Sequence, residues 1–185
     1  ALAHHADDLA ETVLKRIFEG ASILNLTGMS SVTSWENLKV WRPLLTFSKK
    51  ELVKLAEKLP VRPIDDKTNL DPRFLRGRMR TKLLPELSSI FGKEIASPLT
   101  RLSKEASEWR EYIHERVRPI LNHVEYGALG LFFDAGVAQV SSLLELKYLI
   151  GYLSGQAGLA LPANLVHRAA EMVLSKAANK FVRVS

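Results

Sequence analysis

The chain has 185 residues, 46% of them hydrophobic, with a formal net charge of +6 and no cysteine. That length and apolar share suit one ordinary domain, or one and a half, with a sizeable buried core, while the lack of thiols excludes disulfides and cysteine-ligated zinc. No run of eighteen apolar residues occurs, because 143–153 is broken by Glu145 and Lys147, so no membrane partner is expected; the composition fits a reducing, cytoplasmic setting.

The first informative stretch is Ala3-His4-His5-Ala6-Asp7-Asp8-Leu9-Ala10-Glu11-Thr12. Leu9, Val13 and Ile17 recur every four residues with Ala10, Leu14 and Phe18 beside them, which predicts a core-packed helix over 7–19 that stops at Gly20. The same spacing puts Asp8, Glu11, Thr12 and Lys15 together on the polar side. Carboxylates three apart share a helical face, so Asp8 and Glu11 can converge on one cationic group, an ammonium or a magnesium-bound phosphate. Acidic residues in a first turn also cap free amides and complement the helix dipole, which is the structural reading for Asp7.

Residues 21–34 read as a Ser/Thr/Gly-rich loop, and 38–41 as a strand leading into Arg42-Pro43, with an edge or strand end over 44–46. Ser48-Lys49-Lys50-Glu51 is a capping box opening a short helix that ends at Pro60, with Leu52, Leu55, Ala56 and Leu59 as its buried stripe. A loop over 60–71 follows. From Pro72 to Pro85 there are five basic residues, Arg73, Arg76, Arg78, Arg80 and Lys82, and no acid, an electrostatic seat for ATP phosphates or an RNA backbone. As a helix from Pro72, this segment would carry Arg73, Arg76 and Arg80 on one face.

Ser97 is expected to cap a long helix with Pro98 at its first position, and Leu99, Leu102, Ala106, Trp109, Ile113 and Val117 form its stripe. That spacing assigns Trp109 and Tyr112 to the core rather than to base stacking, with Pro119 kinking or ending the helix. Gly127 to Phe133 reads as a strand or a helix turn. Helices are expected over 140–153 and from Pro162, the latter with Leu165, Ala169, Met172 and Val173 on one side, and a closing strand over 180–184. Lys147, Arg168, Lys176, Lys180 and Arg183 offer scattered RNA contacts. His114, His123 and His167 have no acids paired with them in the sequence pattern.

The run His4-His5-Ala6-Asp7-Asp8-x-Ala10-Glu11-Thr12 resembles a signature of the tRNA(Ile)-lysidine synthetases, a family of the N-type ATP pyrophosphatase superfamily. Arg42-Pro43-Leu44-Leu45 is similar to a second block, and Asp66-Lys67-Thr68-Asn69-Leu70-Asp71 with Arg76-Gly77-Arg78-Met79-Arg80 to a third. The blocks fall in family order over about residues 3–90, and the remainder is only loosely like the helical region that follows. Leu9, Thr68 and Gly77 stand where the family has Gln, Ser and Asn. The Ser-Gly-Gly-x-Asp-Ser phosphate loop does not occur here, which makes a fragment of a longer protein the expectation.

The resemblance implies an α/β fold: the C-terminal part of an N-type ATP pyrophosphatase domain with a Rossmann-like parallel sheet over 1–96, a connecting helix over 97–126, and a small, mainly helical tRNA-binding-type subdomain over 127–185. It implies that ATP, with Mg²⁺, adenylates the C2 carbonyl of the wobble cytidine of a minor tRNA(Ile) with a CAU anticodon, and that the amine of L-lysine then displaces AMP. Pyrophosphate leaves as a polyanion and the amine must be held and deprotonated, so both arginines and carboxylates are needed. Asp8, Glu11, Arg76 and Arg80 are the catalytic candidates; His4, His5, Thr12, Asn69 and Arg78 are candidates for holding ATP or substrate, and Arg73 and Lys82 for touching RNA. One of the two carboxylates, raised by its neighbour's charge, is a candidate base. No dedicated metal ligands are expected, a homodimer is left open, and the stretch by itself is expected to be inactive. Two other classes compete: a metal-dependent phosphohydrolase built on the His-His-x-Asp-Asp cluster, and a non-catalytic tRNA-binding fragment.

Overall fold

The structure, a computed structural model, describes residues 1–35, 38–60, 71–127, 130–134 and 141–175. The block from Asp66 to Leu70, Asn69 with it, and Lys176, Lys180, Arg183 and the expected strand over 180–184 lie outside the described residues. The chain divides into two compact units, Ala1–Glu108 and Trp109–Ser185.

In the first unit, helix α1 spans Ala6–Phe18. Its stripe packs as its spacing requires: Leu9, Ala10, Val13 and Leu14 are buried in a core with Leu45, Met79 and Leu99. Ile17 and Phe18 correct the expectation, because the last turn runs past that core and leaves both exposed. Gly28 closes the following loop with φ +63, a left-handed turn seated on Leu9 and Val13 that a side chain could not share.

The expected loop over 21–34 contains a 3₁₀ turn, Ile23–Asn25, and a strand, β1, Val32–Trp35. β1 pairs antiparallel with β2, Leu38–Trp41, in the register Val32↔Trp41 and Trp35↔Leu38. Four residues are too few for an alternating pattern to mark β1 in sequence. The stretch 44–46 is not a strand end: a turn closed by Phe47 N–H on the Leu44 carbonyl follows Pro43. Helix α2, Lys49–Ala56, opens on the expected box, in which Ser48 Oγ accepts from Glu51 N–H and Glu51 accepts from Ser48 N–H. Its stripe is not buried, since Leu55 and Leu59 are exposed and only Leu52 and Ala56 are half-buried. None of the eight residues of α2 is fully buried.

The basic segment is not one regular helix from Pro72. Asp71 accepts Phe74 N–H through its carbonyl and grips Arg73 through its carboxylate, which holds 71–74 as a turn. Then follow α3, Leu75–Arg78, a π-helical turn, Met79–Leu83, and α4, Leu84–Phe91. Arg73 therefore stands ahead of the helix and shares no helical face with Arg76 and Arg80. Gly77 packs so closely on that turn that a Cβ there would lie 2.1 Å from the Asp71 carbonyl oxygen. A side chain at position 77 has no room against this turn. Gly92 ends α4 with φ 62.

The long helix α5 spans Ala96–Leu121 and contributes to both units. Its cap differs from expectation: Glu94, not Ser97, accepts from the amides of Ala96 and Ser97. Pro119 lies inside the helix two residues from its end, so the break it makes is followed by only the last residues of the helix. The second unit adds a hairpin, β3 Glu125–Gly127 with β4 Gly130–Phe132, and helices α6, Leu143–Gln156, and α7, Ala163–Leu174. Gly127 ends β3 and Gly130 opens β4, so the expected apolar run supplies β4 and the last residue of β3. Val117, Ile120, Leu146, Leu149, Leu153 and Ala170 form the second core.

The protein is therefore mixed α/β and mostly helical. Its sheets, among the described residues, are two antiparallel ribbons of two strands each; the parallel sheet implied by the resemblance is not among them.

Candidate active site

The start of α1 and the π turn meet directly. Arg80 Nε donates to Glu11 Oε1 at 2.7 Å, and its terminal nitrogen donates to Glu11 Oε2 at 3.0 Å and to Asp8 Oδ1 at 2.9 Å. One guanidinium thus serves two carboxylates from positions 69 and 72 residues away. Glu11 is 1% exposed and Asp8 8%, so the polar side of α1 is buried rather than solvated at these two positions. The helix can bury them because the fork of an arginine satisfies a carboxylate in two places. Hydrogen bonding to Glu11 holds the Arg80 guanidinium well above its ordinary pKa, with burial opposing and Asp8 assisting.

The π turn makes this meeting possible. It inserts an extra residue into the helical run, which turns the side chains after it relative to those of α3. Arg80 faces Asp8 and Glu11, while Arg76 and Lys82 remain exposed. Arg78 donates to the carbonyls of Pro72 and Arg73, and Arg73 is clamped on Asp71, whose carboxyl it holds below its usual range.

Around this triad the remaining candidates fall into place. Asp8 Oδ2 accepts the backbone N–H of His5 at 2.9 Å, closing the N-terminus of α1. The His5 imidazole stands between two acids, Nδ1 3.3 Å from Asp7 and Nε2 3.4 Å from Asp8, and its buried Nδ1 has no hydrogen-bond partner. Thr12 is turned inward on its own helix, donating to the Asp8 carbonyl at 2.9 Å. His4 Nδ1 accepts from Arg42 Nε at 3.2 Å, and Arg42 also reaches Ser30 and Thr33.

A cleft of about 310 Å³ opens beside the triad. Glu11 and Arg80 form part of its wall together with His5, Asp7, Lys49 and Glu94, and Leu84, Pro85 and Ala96 supply an apolar side. Asp7, Lys49 and Glu94 were not legible as site residues. Asp7 looked like a first-turn acid, yet its Oδ2 accepts Lys49 N–H at 2.8 Å and so ties the start of α1 to the start of α2. Glu94 carried only the signal of an acid ahead of a helix.

The pairing bears on the other sequence readings. Asp8 and Glu11 do not face each other as a repelling pair, because the guanidinium lies between them. Nor do they fit a metal: their oxygens are taken by Arg80 and the His5 amide, and no group of three His, Asp or Glu among the described residues is placed to hold an ion. In the second unit, His167 does have an acid, Glu171, at 3.3 Å, and His114 Nδ1 lies 3.0 Å from the Tyr148 hydroxyl. Trp109 and Tyr112 are 55% and 56% exposed, against the expectation that both are core.

Residues 1–87 match the family model of the PP-loop domain. The tRNA(Ile)-lysidine synthase of Chlamydia muridarum is 40% identical over 155 residues, which is 84% of this chain and 47% of the relative. That of Chlamydia caviae is 46% identical over 123 residues, 66% of this chain and 39% of the relative, and that of Chlamydia abortus 43% over the same length. The chain spans about half the length, or less, of these curated relatives. The resemblance carried by the sequence blocks agrees with these matches: residues 1–87 are similar to the PP-loop domain, and the chain is similar to tRNA(Ile)-lysidine synthases.

Proposed function

We propose that this PP-loop chain serves in ATP-dependent ligation of L-lysine to the wobble cytidine of a tRNA(Ile) with a CAU anticodon. The observation that carries the proposal is the Asp8–Arg80–Glu11 triad at the wall of a cleft lined by both signs of charge. An amino acid with two ammonium groups and one carboxylate matches such a lining. Asp7 and Glu94 receive the ammonium end and Lys49 the carboxylate, while the aliphatic stem lies on Leu84, Pro85 and Ala96. Arg80 fixes the two carboxylates of α1 and gives the cleft a rigid floor.

In the reaction the C2 carbonyl oxygen of the cytidine attacks the α-phosphorus of ATP and pyrophosphate leaves. The lysine side-chain amine then forms a bond to C2 as the C2–O bond breaks and AMP departs. The amine must first lose a proton, for which the His5 imidazole between Asp7 and Asp8 is the acceptor at the cleft wall. Arg76 is exposed, and no carboxylate among the described residues hydrogen-bonds to it, which suits it to the negative charge of the leaving pyrophosphate. The division into a nucleotide-handling part over 1–96, a connecting helix over 97–126 and an RNA-contacting part over 127–185 belongs to the same proposal, as does the parallel sheet shared with the superfamily.

The test is incorporation of labelled lysine into a tRNA(Ile) transcript by the intact protein that contains this chain. Incorporation should require ATP, and Asp8→Ala should reduce it at least a hundredfold while transcript binding persists. An Asp8→Ala protein that modifies the transcript at the wild-type rate would remove the triad from the reaction.

A further inference from the structure

His4 and Arg42 meet in the first unit, outside the Asp8–Arg80–Glu11 triad. Two backbone hydrogen bonds lay their segments side by side: Leu2 N–H donates to the Trp41 carbonyl at 2.8 Å, and Ala6 N–H to the Phe47 carbonyl at 2.9 Å. Between these two ties Arg42 Nε donates to His4 Nδ1 at 3.2 Å, both side chains being half-buried. The guanidinium is itself pinned. One terminal nitrogen donates to the Ser30 carbonyl at 3.0 Å and to Thr33 Oγ1 at 2.9 Å, and the Arg42 backbone amide donates to the Ser31 carbonyl at 2.7 Å. A guanidinium carries only donors and keeps its charge. An imidazole nitrogen that faces it must offer a lone pair, which puts the single proton of the ring on the other nitrogen, Nε2. A second proton, on Nδ1, would break the hydrogen bond and set two cations against each other.

We infer that Arg42 is a positioning residue for the reaction: it fixes His4 as an uncharged ring with its proton on Nε2, a donor to an acceptor oxygen of the reacting molecules and not a seat for an ammonium. The inference rests on the ATP- and lysine-using reading above. A ring free to choose its tautomer would present a lone pair at Nε2 part of the time and repel such an oxygen, and the Arg42 contact removes that alternative before the ligand arrives. The two adjacent histidines then have opposite tasks. His5 stands between the carboxylates of Asp7 and Asp8, where a proton can be accepted, while His4 is held against a cation, where the ring keeps one proton and lends it to a hydrogen bond. The oxygen belongs to the ATP phosphates or to the lysine carboxylate, which present the same chemistry to an N–H donor.

The experiment uses the intact protein that contains this chain, with histidine labelled in heavy nitrogen for magnetic resonance. At about pH 8.5, where free imidazole is neutral, the His4 signals, identified as those missing from His4→Gln, should show Nδ1 without a proton and Nε2 with one. A ring averaged between tautomers, or protonated at Nδ1, would overturn the inference whatever the variants do. In lysine incorporation into a tRNA(Ile) transcript, Arg42→Met should lower kcat/KM about tenfold or more, through the KM for ATP or for lysine according to which molecule carries the oxygen. Thr33→Val, which removes only the other side-chain partner of Arg42, should stay within about twofold of wild type. In a His4→Ala background, Arg42→Met should add less than about twofold, because its effect passes through the imidazole. An unchanged KM for both ATP and lysine, or an equal loss with and without His4, would make Arg42 a structural residue only. Wild-type protein that carries the Nε2 proton yet incorporates no lysine would uphold the fixed ring and count against the catalytic reading alone.

Discussion

Glu11 is the residue on which most depends, because a carboxylate 1% exposed must be compensated where it stands. Arg80 does so with two hydrogen bonds and serves Asp8 with a third contact. Arg80→Gln strands a buried charge, and unfolding in urea should show a loss of about 3 to 5 kcal/mol. A loss below about 1 kcal/mol would mean that Glu11 finds water in the folded protein. Sequence spacing brought Asp8 and Glu11 to one face and onto one cationic group, but took that group for an ammonium or a magnesium-bound phosphate, where the structure has the Arg80 guanidinium. It did not reveal Arg80 as that group, since the π turn that selects Arg80 over Arg76 leaves no periodic signature.

At the scale of elements, caps were legible where side chain and backbone lie within one turn of each other. The Ser48–Glu51 box was read directly, and α6 uses the same device through Ser142 and Glu145. Other elements were not legible: β1 is too short to mark itself although its partner β2 begins three residues on, and the exposure of Leu55 on α2 and of Trp109 on α5 reflects what lies beside each helix. Glu145 makes a prediction of its own. Burial opposes its charge, but the Ser142 amide and the Arg116 guanidinium together hold its carboxyl below the ordinary value of 4.5. A depressed folded-state value means that its contribution is complete above pH 4.5 and disappears as pH falls through the lower value. Thermal unfolding of the second unit should therefore weaken steeply below pH 4.5, and Glu145→Gln should flatten that dependence while costing stability at neutral pH. An unchanged acid profile in Glu145→Gln would show that other carboxylates dominate.

At the scale of the whole molecule, the match to the PP-loop domain model and the charged cleft both fall in the first unit. The net charge of +6 favours a polyanionic partner for the chain. Family resemblance was legible because three short blocks keep their order, and the cleft was not, because Asp7, Lys49 and Glu94 come from three separate elements. The central claim, that the cleft beside Glu11 and Arg80 delivers lysine to an adenylated base, is tested most directly by AMP release from the intact protein. Wild type should release pyrophosphate with ATP and the tRNA(Ile) transcript alone but AMP only when lysine is added, and Glu11→Gln should lose the lysine-dependent AMP while still binding the transcript. AMP released by Glu11→Gln at the wild-type, lysine-dependent rate would contradict it.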